Sequence, residues 1–143
     1  MDEEFVKNGG KILTFSADGK VYAFNILSVT DIIEIPEITN IPKTPAYLCG
    51  LMNHRGKAVP VMDFRKRLGL PDYDYDKKSC VIVIEINSMQ IGIIVDRVID
   101  VENISTDEIA PSPVVNSTVQ CFITRNNTTI FLLNAEMLVR GKV

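Results

Sequence analysis

Apolar and polar residues alternate along most of this chain with a period of two, the spacing that puts every second side chain on one face of a β-strand. Residues 11–17 and 20–26 flank Asp18-Gly19, a pair suited to the positive φ angles of a tight hairpin turn. That turn opposes Phe15 to Tyr22 and Leu13 to Phe24. A second hairpin around Asn87-Ser88 opposes Ile86 to Met89, Ile84 to Ile91, Ile82 to Ile93 and Cys80 to Val95, an uninterrupted apolar face. Its other face opposes Glu85 to Gln90 near the turn, with Val81, Val83 and Ile94 further away. A slip of one residue would carry Glu85 and Gln90 into the core, so this register is well specified. It is expected to be buried on one face throughout and on both at the end away from the turn. A third hairpin joins 119–125 to 128–133 around Asn126-Asn127, facing Ile123 with Ile130, Cys121 with Leu132 and Phe122 with Phe131. Two further apolar runs meet at Arg55-Gly56, a corner that presents a guanidinium, and Pro60 marks the second run as a poor central strand. Residues 28–35 read as one more strand, ended by Pro36.

Helices are expected to be short. Thr44 with Pro45 opens a piece closed by Gly50, Asp63 caps 64–68 before Gly69, and Asn134 caps 135–140 before Gly141. Ser105 and Glu108 form a capping box for a single turn before Pro111. None is long enough to be stable alone, so they serve as connectors on a β-framework. The class is all-β, a sandwich or small barrels. The acidic, tyrosine-bearing stretch 71–78 reads as a linker that divides the hairpins into two β-subdomains of one domain, 5–141.

Composition narrows the function. At 143 residues the chain can bury a core without disulfides or metal. A net charge of −3 provides no bulk basic field for a phosphate backbone. No apolar run approaches the roughly 20 residues of a membrane-spanning helix. Residues 1–5 are acidic and lack the features of a signal peptide, so the expected compartment is cytoplasmic, without membrane insertion. Cys49, Cys80 and Cys121 are odd in number and lie in apolar surroundings, as buried free thiols do. With a single His, a metal site is short of ligands, and no cofactor is implied.

No Gly-rich phosphate loop, G-x-S-x-G elbow or His-Glu-x-x-His pattern occurs, so no enzymatic activity is expected. His54 reads as a surface turn residue, Asp96 as a local ion-pair partner of Arg97, and Arg65-Lys66-Arg67 as the solvated face of a short helix. An OB-like barrel binding single-stranded nucleic acid is the alternative from another class. It would need a basic groove with stacking aromatics, whereas aromatics are 7% here and most pair across hairpins. Ile26, Val29, Ile32 and Ile33, with Val95, Val98, Ile99 and Val101, exceed what a β-domain of this size is expected to bury on both faces. The surplus would form an apolar groove between the subdomains, suited to an amphipathic helix.

Gly50-Leu51-Met52-Asn53-His54-Arg55-Gly56 with Pro60-Val61-Met62-Asp63-Phe64 resembles the signature of the CheW chemotaxis coupling family, Gly-x-x-Asn-x-Arg-Gly with Pro-Val-x-Asp or Asn following. Residues 35–42, Gly92-Ile93-Ile94-Val95-Asp96-Arg97-Val98, and Phe131-Leu132-Leu133-Asn134 with Met137-Leu138 resemble further family stretches in the same order, so the likeness spans residues 11–138. Three departures stand out: His54 replaces an aliphatic residue, Cys121 a Gly, and Asn134 an Asp. The resemblance implies two intertwined SH3-like five-stranded β-barrels. It also implies a non-enzymatic adaptor linking the cytoplasmic tips of methyl-accepting chemoreceptors to the regulatory domain of the histidine kinase CheA. Carried over, Asn53, Arg55 and Gly56 form the turn, and Glu37 and Ile35 lie near partner-binding surface. Ile26, Val29, Ile32, Val95 and Val98 line the groove for the receptor helix. Because the sequence ends just past the last helix, the expectation is a free-standing coupling protein, monomeric alone and arrayed only with its partners. Arg55 either braces its turn through backbone carbonyls or reaches a partner directly.

Overall fold

The described residues, 3–114 and 117–141 of a computed structural model, place their strands in two sheets. In chain order the elements are α1 (Glu3–Asn8), β1 (Gly10–Ala17), β2 (Lys20–Asn25), β3 (Val29–Glu34), β4 (Leu48–His54), β5 (Lys57–Asp63) and α2 (Phe64–Arg67). Then come β6 (Cys80–Ile86), β7 (Met89–Val95), β8 (Arg97–Ile104), β9 (Ile109–Pro111), β10 (Val119–Arg125), β11 (Thr128–Leu133) and α3 (Ala135–Arg140). One sheet has the order β8-β1-β2-β11-β10-β9 and the other β3-β6-β7-β5-β4. The chain leaves the first sheet through a 3₁₀ turn, Ile26–Ser28, and returns to it at Asp96, between β7 and β8. The subdomains are therefore intertwined, the second being built from the middle of the chain. This corrects the boundary expected near 71–78: β5 pairs in parallel with β7, so that stretch is a connection inside the second sheet.

Each sheet closes on itself as a small barrel. In the first, the edge strands β8 and β9 are consecutive, joined by the Thr106–Glu108 turn with its Ser105–Glu108 capping box. Arg125 on β10 ties this side together, donating to Glu108 at 2.9 Å, Glu102 at 3.3 Å and the Asn103 carbonyl at 2.7 Å. In the second, the chain leaving β3 runs back along β4, where Thr39 and Leu51 exchange backbone hydrogen bonds of 2.8 and 2.9 Å. The three-residue β9 gives the first barrel six strands, one more than expected.

The hairpin registers agree with the alternation pattern. Phe15 faces Tyr22, Ile84 faces Ile91 and Ile123 faces Ile130, with the turn pairs Asp18-Gly19, Asn87-Ser88 and Asn126-Asn127 all at positive φ. Period two explains how the barrels join. Leu13, Phe15, Ala17, Tyr22 and Phe24 point out of the first barrel and meet Ile82, Ile84, Ile86, Ile91, Ile93 and Val95, which point out of the second. Phe64 of α2 wedges edge-on between Phe15 and Tyr22, with centroids 5.0 and 4.8 Å away. The alternate residues fill the barrels: Ile12 with Cys121, Ile123 and Leu132 in one, Val81, Val83 and Ile94 with Met52 and Val61 in the other. The β6–β7 hairpin is thus buried on both faces for most of its length. Val95 is 0% exposed inside the shared core, so it is removed from the groove lining expected of it.

Asp63 and Asn134 cap α2 and α3 as their sequence positions suggest. The helix expected over 44–50 is replaced by turns and the start of β4, because pairing with β5 captures Leu48 and Gly50 around a bulge. Helix α1 was not anticipated; its Phe5 plugs the first barrel. The basic run on α2 is also corrected, since Arg65 and Arg67 are buried. Arg65 grips Asp96 with two bonds of 2.8 and 2.7 Å, donates to the Pro71 carbonyl at 2.7 Å, and lies under the Tyr73 ring. Asp96, placed in the sequence beside Arg97, pairs instead with this residue on α2, and it accepts the Asp18 N–H as well. The pair pins the crossing between barrels. Arg67 donates to the carbonyls of Leu138 and Gly141, both at 2.6 Å, which locks the end of α3.

Arg65→Ala would leave Asp96 shielded and unpaired, so it is expected to cost about 3 kcal/mol in urea unfolding. An apolar double replacement, Arg65→Met with Asp96→Leu, should recover most of that loss.

Candidate functional site

The β4–β5 turn is built by its own side chains. Asn53 Oδ1 accepts the Gly56 N–H at 3.0 Å, and Arg55 and Gly56 take φ angles of 53° and 81°. This frees the Arg55 side chain, which is 76% exposed, and its Nη2 lies 2.9 Å from Asp31 Oδ2 on β3. The brace is therefore a carboxylate on the far edge of the second barrel, where backbone carbonyls were one expectation. An exposed pair of this kind contributes at most about 1 kcal/mol. His54, expected at the surface, is 8% exposed, with Nε2 3.5 Å from the same Asp31 oxygen. It points with Met52 toward the barrel interior, the inward alternate of a strand whose next residue heads the turn.

The closing segment after β3 carries Ile35 and Glu37. Ile35 packs half-buried against the second barrel's core, and Glu37 is exposed. The segment can approach β4 only because position 50 is glycine. Its φ is 146°, and a Cβ there would stand 2.0 Å from the Thr39 carbonyl oxygen. Gly50 thus has a structural reason of its own beside the arginine turn.

A second surface lies along the border of the shared core. Val29 and Ile32 on β3 oppose Ile84 and Ile82, so both face that core from an edge strand. Val29, with Ile26, is half-buried against it, while Ile32 remains 43% exposed. On β8, Val98 opposes Phe15 and Val101 opposes Leu13, the same side of the first barrel. Ile26, Val29, Ile32 and Val98 therefore face the border of the shared core, whereas Val95 is enclosed within it. Val101 and its neighbour Ile99 are about half exposed, and Leu27 on the 3₁₀ turn is 88% exposed. Val101 and Leu27 lie outside the set of site residues that the sequence predicts, although Val101 is among its surplus aliphatics. Facing Val101 toward the strip needs the pairing of β8 with β1, a contact between strands some 86 residues apart with no local signal.

Among the described residues no group of three His, Cys, Asp or Glu side chains is placed to hold a metal ion. Burial pushes the Cys49 and Cys80 thiols above their ordinary pKa, which keeps them protonated and poorly nucleophilic. No helix of the described residues is long and apolar enough to cross a membrane.

The CheW-like domain pattern matches residues 11–143. This chain belongs to the CheW-like domain family. It is 36% identical to the chemotaxis protein CheW of Bacillus subtilis (strain 168) over 108 residues, which covers 76% of this chain and 69% of that protein. Against CheW of Rhizobium meliloti (strain 1021) it is 32% identical, covering 77% and 72%. The crystal structure of the scaffolding protein TtCheW from Thermoanaerobacter tengcongensis superimposes with a TM-score of 0.86 at 33% identity, covering 94% of this chain and 96% of that one. Chemotaxis scaffolding is thus the role of the family, and the two-barrel fold is that of a CheW.

Within this CheW-like domain, Gly50→Ala should loosen the closure of the second barrel, lowering stability by about 2 kcal/mol or more in thermal or urea unfolding. Ile32→Ala, at the exposed strip, should stay within about 0.5 kcal/mol of the native protein.

Proposed function

We propose that this chain is a non-enzymatic adaptor that couples the cytoplasmic tips of methyl-accepting chemoreceptors to the regulatory domain of the histidine kinase CheA. The supporting observation is that β3 carries both surfaces. Successive strand residues point to opposite faces, so Ile32 belongs to the apolar strip while Asp31, next to it, holds Arg55. A receptor helix lies on the strip, contacting Ile26, Val29 and Ile32 on one barrel and Val98 with Val101 on the other. Its apolar face suits an amphipathic helix, as in other helix-in-groove complexes. The polar surface of Asn53, Arg55 and Gly56, flanked by Glu37 and Ile35, takes the globular regulatory domain of the kinase. The planar guanidinium on a rigid turn provides directional hydrogen bonds there.

The mechanism is stoichiometric. The adaptor bridges helix and kinase, and its two binding events are linked because they share one strand. The Ile32 N–H donates to Asp31 Oδ1 at 2.9 Å, so displacement of Ile32 is felt by the carboxylate that holds Arg55. Kinase activity shifts through differential contacts with its active and inactive arrangements.

Pull-down with a receptor cytoplasmic fragment and the kinase tests both parts. Ile32→Asp is expected to weaken receptor capture about tenfold or more, since a charge would be buried under an apolar helix. Arg55→Ala should weaken kinase capture and leave receptor capture in place. Intact ternary assembly by both variants would overturn the site assignment, and failure of the native protein to bind either partner would overturn the function.

A further inference from the structure

Asp31 presents one carboxylate oxygen to two cationic or potentially cationic side chains. Oδ1 already accepts the Ile32 N–H, while Oδ2 lies 2.9 Å from Arg55 Nη2 and 3.5 Å from His54 Nε2. The two differ in setting, since His54 is enclosed by the barrel and Arg55 is largely in water. We propose that His54 is a positioning residue for Arg55, retaining it on Asp31 when the imidazole is neutral and releasing it when the imidazole is protonated. The proposal rests on the reading that Arg55 meets the kinase.

With His54 neutral, Arg55 faces a full carboxylate charge. Protonation places a cation at the same oxygen in a shielded position, where screening by salt is weak. The carboxylate charge is then neutralised locally and the guanidinium gains a like-charged neighbour. Arg55 turns to solvent and is available to a partner. Imidazole is the side chain that ordinarily changes charge between about pH 8 and about pH 5.

The surrounding charges are few. From β5, Lys57 opposes His54 in register. From β6, Glu85 shares the strand face of Val83, which pairs with Asp31, and is exposed. From β7, the residue opposite Glu85 is the uncharged Gln90. Asp31 remains the carboxylate in direct reach.

Side-chain NMR of the Arg55 Nε–H group at about pH 8 and about pH 5.5 reads the latch without any partner. In the native protein Arg55 should be restricted at the higher pH and mobile at the lower. Asp31→Asn should leave it mobile at both, and His54→Gln should leave it restricted at both. Affinity for the kinase regulatory domain should tighten about two- to fivefold on acidification in the native protein and stay flat in His54→Gln, the span set by an exposed ion pair. An Arg55 signal unchanged by pH in the native protein, which needs no variant to fold, overturns the proposal. So does an equal change in His54→Gln. If the latch opens but Arg55→Ala leaves kinase affinity unaltered, the latch stands and the partner role of Arg55 falls.

Discussion

The apolar interface between the two barrels is the constraint on which the rest depends. Each barrel alone is small and encloses only a handful of side chains. Burying the outward faces of β1, β2, β6 and β7 against each other supplies the large common core that neither has by itself. That requirement explains the intertwined path of the chain. It also explains why the crossing at Asp96 is pinned by a shielded bidentate pair to Arg65, and why Arg67 anchors α3. A charge pair is a costly way to gain stability, but its directional bonds specify one arrangement of crossing strand, α2 and the β1–β2 turn.

The same interface sets the two surfaces proposed to meet partners. Where the shared core runs out, the edge strands β3 and β8 are left with aliphatic side chains partly in water, one strand from each barrel. A helix bound on that border, as proposed, would touch both barrels at once. On the opposite face of β3, the closure of the second barrel brings Asp31 to the Arg55 turn. Gly50 and the Thr39–Leu51 pairing set that closure, so the arginine surface depends on backbone contacts at positions remote from its tip. One strand thus joins an apolar site to a polar one.

Much of the fold was legible because period-two patterning and tight turns are local. The registers of the three hairpins followed from Asp18-Gly19, Asn87-Ser88 and Asn126-Asn127, and the caps at Asp63 and Asn134 from their side chains. Long-range pairing was not legible. The parallel pairing of β5 with β7 undid the boundary at 71–78, and the Arg65–Asp96 pair links residues whose sequence neighbours suggested other partners. The site divided the same way. Asn53, Arg55 and Gly56 stand in one turn as their motif implies, whereas the burial of Val95 and the exposure of Val101 depend on which barrel each strand faces.

Two separate surfaces on one small protein are proposed to serve two partners at once. Calorimetric titration of the native protein with the receptor cytoplasmic fragment, alone and then saturated with the kinase regulatory domain, tests this directly. A ternary complex is expected, with receptor binding retained and its affinity altered by the kinase domain. Mutually exclusive binding, with saturation by one partner abolishing the signal of the other, would contradict it.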